Sequence, residues 1–362
     1  MRTSFWVLVL FDVSEEIDLD QVHRILGITK AGRAPSFKHP APDYVRFERP
    51  PVIQPIDMAL LETGEHLSGQ IKFYDYGVIS VLLELKVDAD WDALIHLSSR
   101  WINEPDVDKR AATFVRQRAD AIRQALIKPH PEWLSEEYFI VHVHGVTDAG
   151  GKPVAAADLL QSHGGKIAQI VRGELSTLSP GERQEVLQSS MSYYPTDLLV
   201  TGWTAALVYD TPEGAAPAIQ LLEYANTQLL EFRYYDAALT RVLANVYRQI
   251  ERKNKLFHRW GLAAEANQLN TIRLDVTELT ERVDNSIKFL SDMFYARAYR
   301  IAAEKIGVTD YRNLVDEKLR TAGELYHSMV EEFHQARAFV LEMMVVAILI
   351  IELIFLFRGQ TH

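Results

Sequence analysis

The densest gathering of groups able to do chemistry is the run Leu229-Leu230-Glu231-Phe232-Arg233-Tyr234-Tyr235-Asp236, with Asn226 and Gln228 just before it. On a helix, Glu231 and Tyr235 fall four apart, as do Phe232 and Asp236; Glu231 with Tyr234 and Arg233 with Asp236 fall three apart. A carboxylate, a guanidinium and two phenols then share one region and can exchange charge-assisted hydrogen bonds. The set Asn226, Glu231, Arg233, Tyr234, Tyr235 and Asp236 has two readings. It forms a pocket that binds or transforms a small anionic or carboxylate ligand, or it is a structural network that orients its helix against a neighbouring domain.

Two further sets invite chemistry. His142 and His144 alternate along a strand pattern, so both rings leave the same face as two metal ligands would, but spacing forces no third ligand beyond Asp148 nearby. Residues 241–259 are basic. Arg248, Arg252, Lys253, Lys255 and Arg259, interleaved with Tyr247 and Phe257, suit an RNA backbone, anionic lipid headgroups or simply a solvated helix face.

Much else is excluded. The chain has no cysteine, which removes thiol catalysis, disulfides and thiolate zinc sites. Its glycines never form GxGxxG or GxxxxGK[ST], and GxSxG and HExxH are absent. The formal net charge of -11 over 362 residues opposes general binding to phosphate backbones. No metal and no cofactor are expected, and the chain reads as non-enzymatic.

The elements that must position these groups divide by proline. All 14 prolines lie at or before Pro217, so the front is mixed α/β and the back almost wholly helical. Phe5 to Val13 predicts a strand, and no signal peptide is expected at the N-terminus. Residues 31–55, with six prolines, predict an irregular loop or edge strands. Gly69 to Val87 predicts a hairpin, followed by helices over Trp91 to Trp101 and Lys109 to Ile127. A second, similar order follows: strand Tyr138 to Val143, helix Val154 to Ser162, strand Ile167 to Gly173, helix Pro180 to Ser189, hairpin Asp197 to Tyr209, and a helix opening at Thr211. The expected fold is α+β, a tandem pair of ferredoxin-like sandwiches over 1–128 and 129–240.

Behind them, 241–337 predicts an antiparallel helical hairpin acting as a coiled-coil stalk. Its first arm carries Ile272, Val276, Leu279, Val283, Ile287 and Leu290 and stops at Gly307. In the second arm, Val315, Leu319, Ala322, Tyr326, Met329, Phe333, Ala336 and Val340 recur at spacings of four and three. The apolar run 338–357, interrupted only by Glu342 and Glu352, comes to about 30 Å of helix and predicts a C-terminal transmembrane anchor.

Arg172-Gly173-Glu174, Asp197 to Val200, Leu207 to Asp210, the run from Leu229 to Asp236, Leu341 to Glu352 and the earlier Phe73 to Val78 together resemble the required-for-meiotic-nuclear-division family, domain of unknown function 155. The resemblance covers residues 70–357 and implies a membrane-associated bacterial protein, related to mitochondrial proteins that support translation by tethering, with no established active site. The expected function is a non-enzymatic scaffold or tether on the bacterial inner membrane with its body in the cytoplasm. Its expected partners are the bilayer and further copies of itself. The alternatives are a ligand-binding or catalytic protein using the Glu231 to Asp236 cluster, and an RNA or ribosome tether through the basic face.

Overall fold

The structure, a computed structural model, describes residues 1–27, 50–59, 66–104, 106–147, 150–251, 270–278, 281 and 293–359. Two compact units emerge, one of residues 1–235 with 276–312 and the other of 236–275 with 313–362.

The first unit is built on one eight-stranded mixed sheet in the order β2-β3-β4-β1-β5-β8-β7-β6. Its strands are β1 (Arg2–Ile17), β2 (Val52–Ala59), β3 (His66–Phe73), β4 (Val78–Asp88), β5 (Leu126–Val143), β6 (Ser190–Met191), β7 (Leu198–Thr201) and β8 (Ala205–Tyr209). The centre is β1, buried almost along its whole length and paired with β4 and β5 on its two sides. That pairing overturns the expected tandem sandwiches. From Thr3↔Val143 to Ile17↔Leu126 the strand opening the first expected module is antiparallel to the strand opening the second, so the two halves share one sheet. Strand order is symmetric about this seam, yet direction is not: β1 pairs β4 antiparallel, while β5 pairs β8 parallel.

Alternation along β1 assigns the two faces. Phe5, Val7, Val9, Phe11 and Val13 enter a core with α2 (Trp91–Ile102), α3 (Val107–Ala121) and α4 (Ala156–Arg172). Local chemistry places these helices: Asp90 caps α2 by accepting from Ala93 N at 2.8 Å, and Gly173, at φ 69°, ends α4. The segment expected as the strand Ile167 to Gly173 is the last part of α4. Ile167, Ala168, Ile170 and Val171 recur at three and four, and all are buried on one helical face. A short α1 (Leu19–Leu26) and α5 (Pro180–Leu187), the latter capped by Ser179, complete the elements before α6.

Pro129 and Pro131, at the expected boundary between the two modules, lie inside β5. Strand β8 pairs β5 only from Phe139 onward, so the proline-bearing part has one open side and needs no ladder donor there. The alternate residues of the sheet, among them Ser4, Leu8, Leu10 and Asp12, are also buried and face α6 (Pro212–Glu251), whose Thr211 cap accepts from Gly214 N at 3.1 Å. Helix α8 (Met293–Ile306) lies beside α6 through the Tyr224 and Tyr299 rings, 5.8 Å apart.

The second unit contains the end of α6, part of α7 (described over 270–278) and most of α9 (Val308–Gly359). Gly307, at φ 99°, stops α8 as expected, and it is the whole connection to α9. Val315 and Ala322 of the expected seam are buried, as is Ile272. The side chains of Leu279, Val283, Ile287 and Leu290, and those of 328–340, lie outside the described residues, as does the proline-rich 28–49.

The transmembrane anchor is corrected. Among the described residues no helix is long and apolar enough to cross a membrane. The described side chains at the apolar end of α9 run from Leu341 to Ile351, about 16 Å of helix against a bilayer core of roughly 30 Å. Glu342 lies among them, and the side chain of Glu352 lies outside the described residues. The membrane localisation and the membrane-anchored architecture fall with the anchor.

Candidate functional site

Helix α6 turns a polar stripe toward the sheet. Glu223, Thr227 and Glu231 recur every four residues among Leu222, Leu229 and Leu230, and all six are buried. Opposite them, Lys72 of β3 and Ser80 of β4 are cross-strand partners on the face away from Ile71 and Phe73. Both reach Glu223: Lys72 Nζ forms an ion pair with Oε2, and Ser80 Oγ donates to Oε1 at 2.6 Å. The Tyr74 hydroxyl makes a third bond to the same carboxylate; burial and then the Glu223 charge hold this phenol well above its usual pKa. Glu223 itself is 0% exposed.

One turn on, Tyr76 Oη donates to Thr227 Oγ1 at 3.0 Å, and Thr227 Oγ1 donates to the Tyr224 carbonyl at 2.7 Å. The Tyr74 and Tyr76 rings stack with centroids 5.2 Å apart. Asn226 donates to the Leu222 carbonyl at 2.8 Å, while its buried Oδ1 has no hydrogen-bond partner.

The predicted run from Leu229 to Asp236 continues this interface rather than forming a pocket of its own. Arg233 forms an ion pair with Glu136 and donates to the Ser135 carbonyl at 3.2 Å, pinning α6 to β5. Burial raises the Glu136 carboxyl, and Arg233 opposes that shift. Tyr234 stacks on His130, centroids 4.5 Å apart, and His130 Nε2 lies 3.1 Å from Asp12 Oδ1. Burial raises Asp12, partly offset by His130. Tyr235 is half-buried.

Asp236 belongs to the second unit. There it accepts from Lys318 Nζ at 2.5 Å, and the same amine donates to Thr240 Oγ1 at 2.7 Å. Arg233 and Asp236 therefore take different partners, although their spacing allowed a pair. Of the basic face, Arg248 bonds within its own helix, to the Ala244 carbonyl and Asn245, and Arg252, Lys253, Lys255 and Arg259 lie outside the described residues.

The two histidines do share a face, with ring centroids 4.3 Å apart, but they serve different partners. His142 Nε2 donates to the Asp210 carbonyl at 3.0 Å, and burial lowers its pKa to about 4. His144 Nε2 bonds Ser4 Oγ at 2.8 Å, and that hydroxyl donates to Glu84 Oε1 at 2.6 Å. Asp148 lies outside the described residues, and among those described no group of three His, Asp or Glu could hold a metal ion. On the other face of the sheet, Glu137 Oε1 accepts from Asp108 N at the start of α3 at 2.7 Å, and burial raises its pKa to about 7. A cavity of about 20 Å³, room for roughly one water, is lined in part by Asp197, Tyr209, Asp210, Phe294 and Tyr295.

Sequence reasoning reached the C-terminal half of this interface and missed Lys72, Tyr74, Ser80 and Glu223. The signal for Glu223 was available: it stands four and eight residues before Thr227 and Glu231, on the face carrying Leu222 and Leu230. Lys72 gave none, because a lysine alternating with Ile71 and Phe73 reads as the solvent side of a strand.

The chain is similar to a protein described as uncharacterized protein MJ0711, of Methanocaldococcus jannaschii. It is 20% identical over 188 residues, 52% of this chain and 58% of that protein, so the match spans less than two thirds of the relative's length. No solved structure matches the chain. The resemblance to the required-for-meiotic-nuclear-division family is corrected here: the family whose model matches is a different one, and its match ends at residue 216, before Leu229 to Asp236 and the apolar end of α9 on which the resemblance leaned. Residues 2–216 match the family described as "Uncharacterized protein MJ0711, N-terminal domain", and the chain belongs to that family.

Proposed function

We propose that this chain is a non-enzymatic scaffold, an α/β body that presents its surface to other proteins and self-associates through its helical second unit. One observation carries the reading. The strongest chemistry-bearing cluster is closed upon itself, with Glu223 fully buried and taking bonds from Lys72, Ser80 and Tyr74. A catalytic or ligand-binding carboxylate needs an approach for its substrate and a coordination position to give up. Here the donors hold α6 to the sheet instead, as a buried, hydrogen-bonded ion pair does when its role is to fix one packing arrangement.

Reductive methylation of the native, full-length chain, read by mass spectrometry, tests the closure. The scaffold reading expects exposed amines such as Lys86 and Lys109 to be methylated while Lys72 stays unmodified until the chain is denatured. Methylation of Lys72 in the native protein at the rate of those exposed amines would show an open site and return the cluster to the ligand-binding reading.

A further inference from the structure

The seam read over Val315 to Val340 does not stop there. Continuing the alternation of three and four places Met343, Ala347 and Ile350 on the same line, then Ile354 and Phe357 in the sequence. Near its start the line is covered, since Val315 and Ala322 are buried. Toward its end the situation reverses. Every described residue from Leu341 to Ile351 is exposed, and the large apolar side chains there, from Leu341 through Ile351, are 46% to 58% open. A helix end that is apolar nearly all round is stable in water only when something covers it.

The charges identify the cover. With Met343 and Ile350 taken as inward, Glu342 falls on the outer side of the helix, where a coiled coil keeps its polar residues, and the sequence spacing gives Glu352 an outer heptad position as well. A parallel, in-register neighbour sets Met343 on Met343, Ala347 on Ala347 and Ile350 on Ile350, and leaves the Glu342 carboxylate in water. A neighbour reversed along the whole helix would instead lay this end against Asn313, Asp316, Glu317 and Arg320. We propose that the apolar end of α9 is the contact between copies of this chain, with α9 helices lying parallel and in register along the Met343, Ala347 and Ile350 line. This names the partner and the register of the self-association in the scaffold reading, and it rests on that reading.

The absence of native cysteine makes the test clean. Single substitutions Met343→Cys, Ala347→Cys and Ile350→Cys on the seam, with Val345→Cys and Leu349→Cys on the outer side, are made in the full-length chain and oxidised mildly. Thermal melts beside the wild type confirm that each variant folds. A disulfide requires Cβ atoms roughly 3.5 to 4.5 Å apart. The expected result is a cross-linked dimer at 343, 347 and 350, and several-fold less at 345 and 349. Equal cross-linking at all five positions overturns the register, because it reports unordered collision. No cross-link at any position, from a protein whose sedimentation shows an assembly, overturns the seam and leaves the scaffold reading standing. No cross-link from a monomer overturns both, and if that monomer also floats with phosphatidylcholine vesicles, lipid is the cover.

Discussion

The layer between the sheet and α6 buries charge, whereas the end of α9 exposes hydrocarbon; each reverses the usual distribution of side chains. In the first, Lys72, Ser80 and Tyr74 converge on Glu223, so the charge is answered from within the same unit. In the second, the described residues from Leu341 to Ile351 are all exposed. A buried ion pair with all its donors supplied is a finished piece of structure, while an exposed apolar helix is half of one. The difference assigns cohesion to the first region and association to the second.

The comparison breaks most readily at Lys72. Lys72→Met strands the Glu223 carboxylate in an apolar layer and is expected to cost about 3–5 kcal/mol in urea denaturation, whereas Lys72→Met with Glu223→Leu should recover most of that loss. If the double variant is no more stable than the single, the pair is not what determines the cost, and the cohesive role assigned to it fails.

Acid should act next, through His142. Burial holds its pKa at about 4, below the usual 6.5, so the unfolded chain takes up the proton first as pH falls. Its contribution is intact above about pH 6.5 and is lost progressively toward pH 4, on the order of 3 kcal/mol at most. His142→Gln, denatured at a series of pH values, should flatten that limb of the curve. Glu137 has the opposite sign. Its carboxyl is raised from 4.5 to about 7, so the folded chain keeps that proton longer and stability falls as pH rises between those values. Glu137→Gln should remove this loss on the alkaline side while leaving the His142 limb in place.

The smallest effect is expected at Arg233, whose guanidinium is partly open to solvent. Arg233→Ala should cost about 1 kcal/mol, as one charge-assisted contact at the margin of the interface. A loss as large as that of Lys72→Met would mean that the run from Leu229 to Asp236, and not the Glu223 end, holds α6 in place.

Local signals were legible where local chemistry decides. The helix opening at Pro180, the Leu198 to Tyr209 hairpin and the stop at Gly307 all follow from helix-start, turn and helix-end rules acting over a few residues. Ile167 to Gly173 misled because a short apolar run has the same composition in a strand and in a buried helix end. The single sheet was beyond reach for another reason: β1 and β5 meet across more than a hundred residues of chain, and nothing in either strand's alternation names its neighbour. The candidate site divided the same way. Helical spacing gathered Glu231, Arg233 and Tyr234 into one region, but Lys72, Asp12, His130 and Glu136 come from the sheet and become visible only once strand order is known. The anchor reading had counted apolar residues over the whole end of α9, while the described part of that end is about half a bilayer core long.

Sedimentation equilibrium of the full-length chain beside Met343→Asp with Ile350→Asp tests the assignment of association to α9 most directly. The account predicts an assembly for the wild type and a folded monomer for the variant, because the Lys72–Glu223 layer is untouched. A wild-type chain that is monomeric across the accessible concentrations, or a variant that assembles as the wild type does, would contradict it.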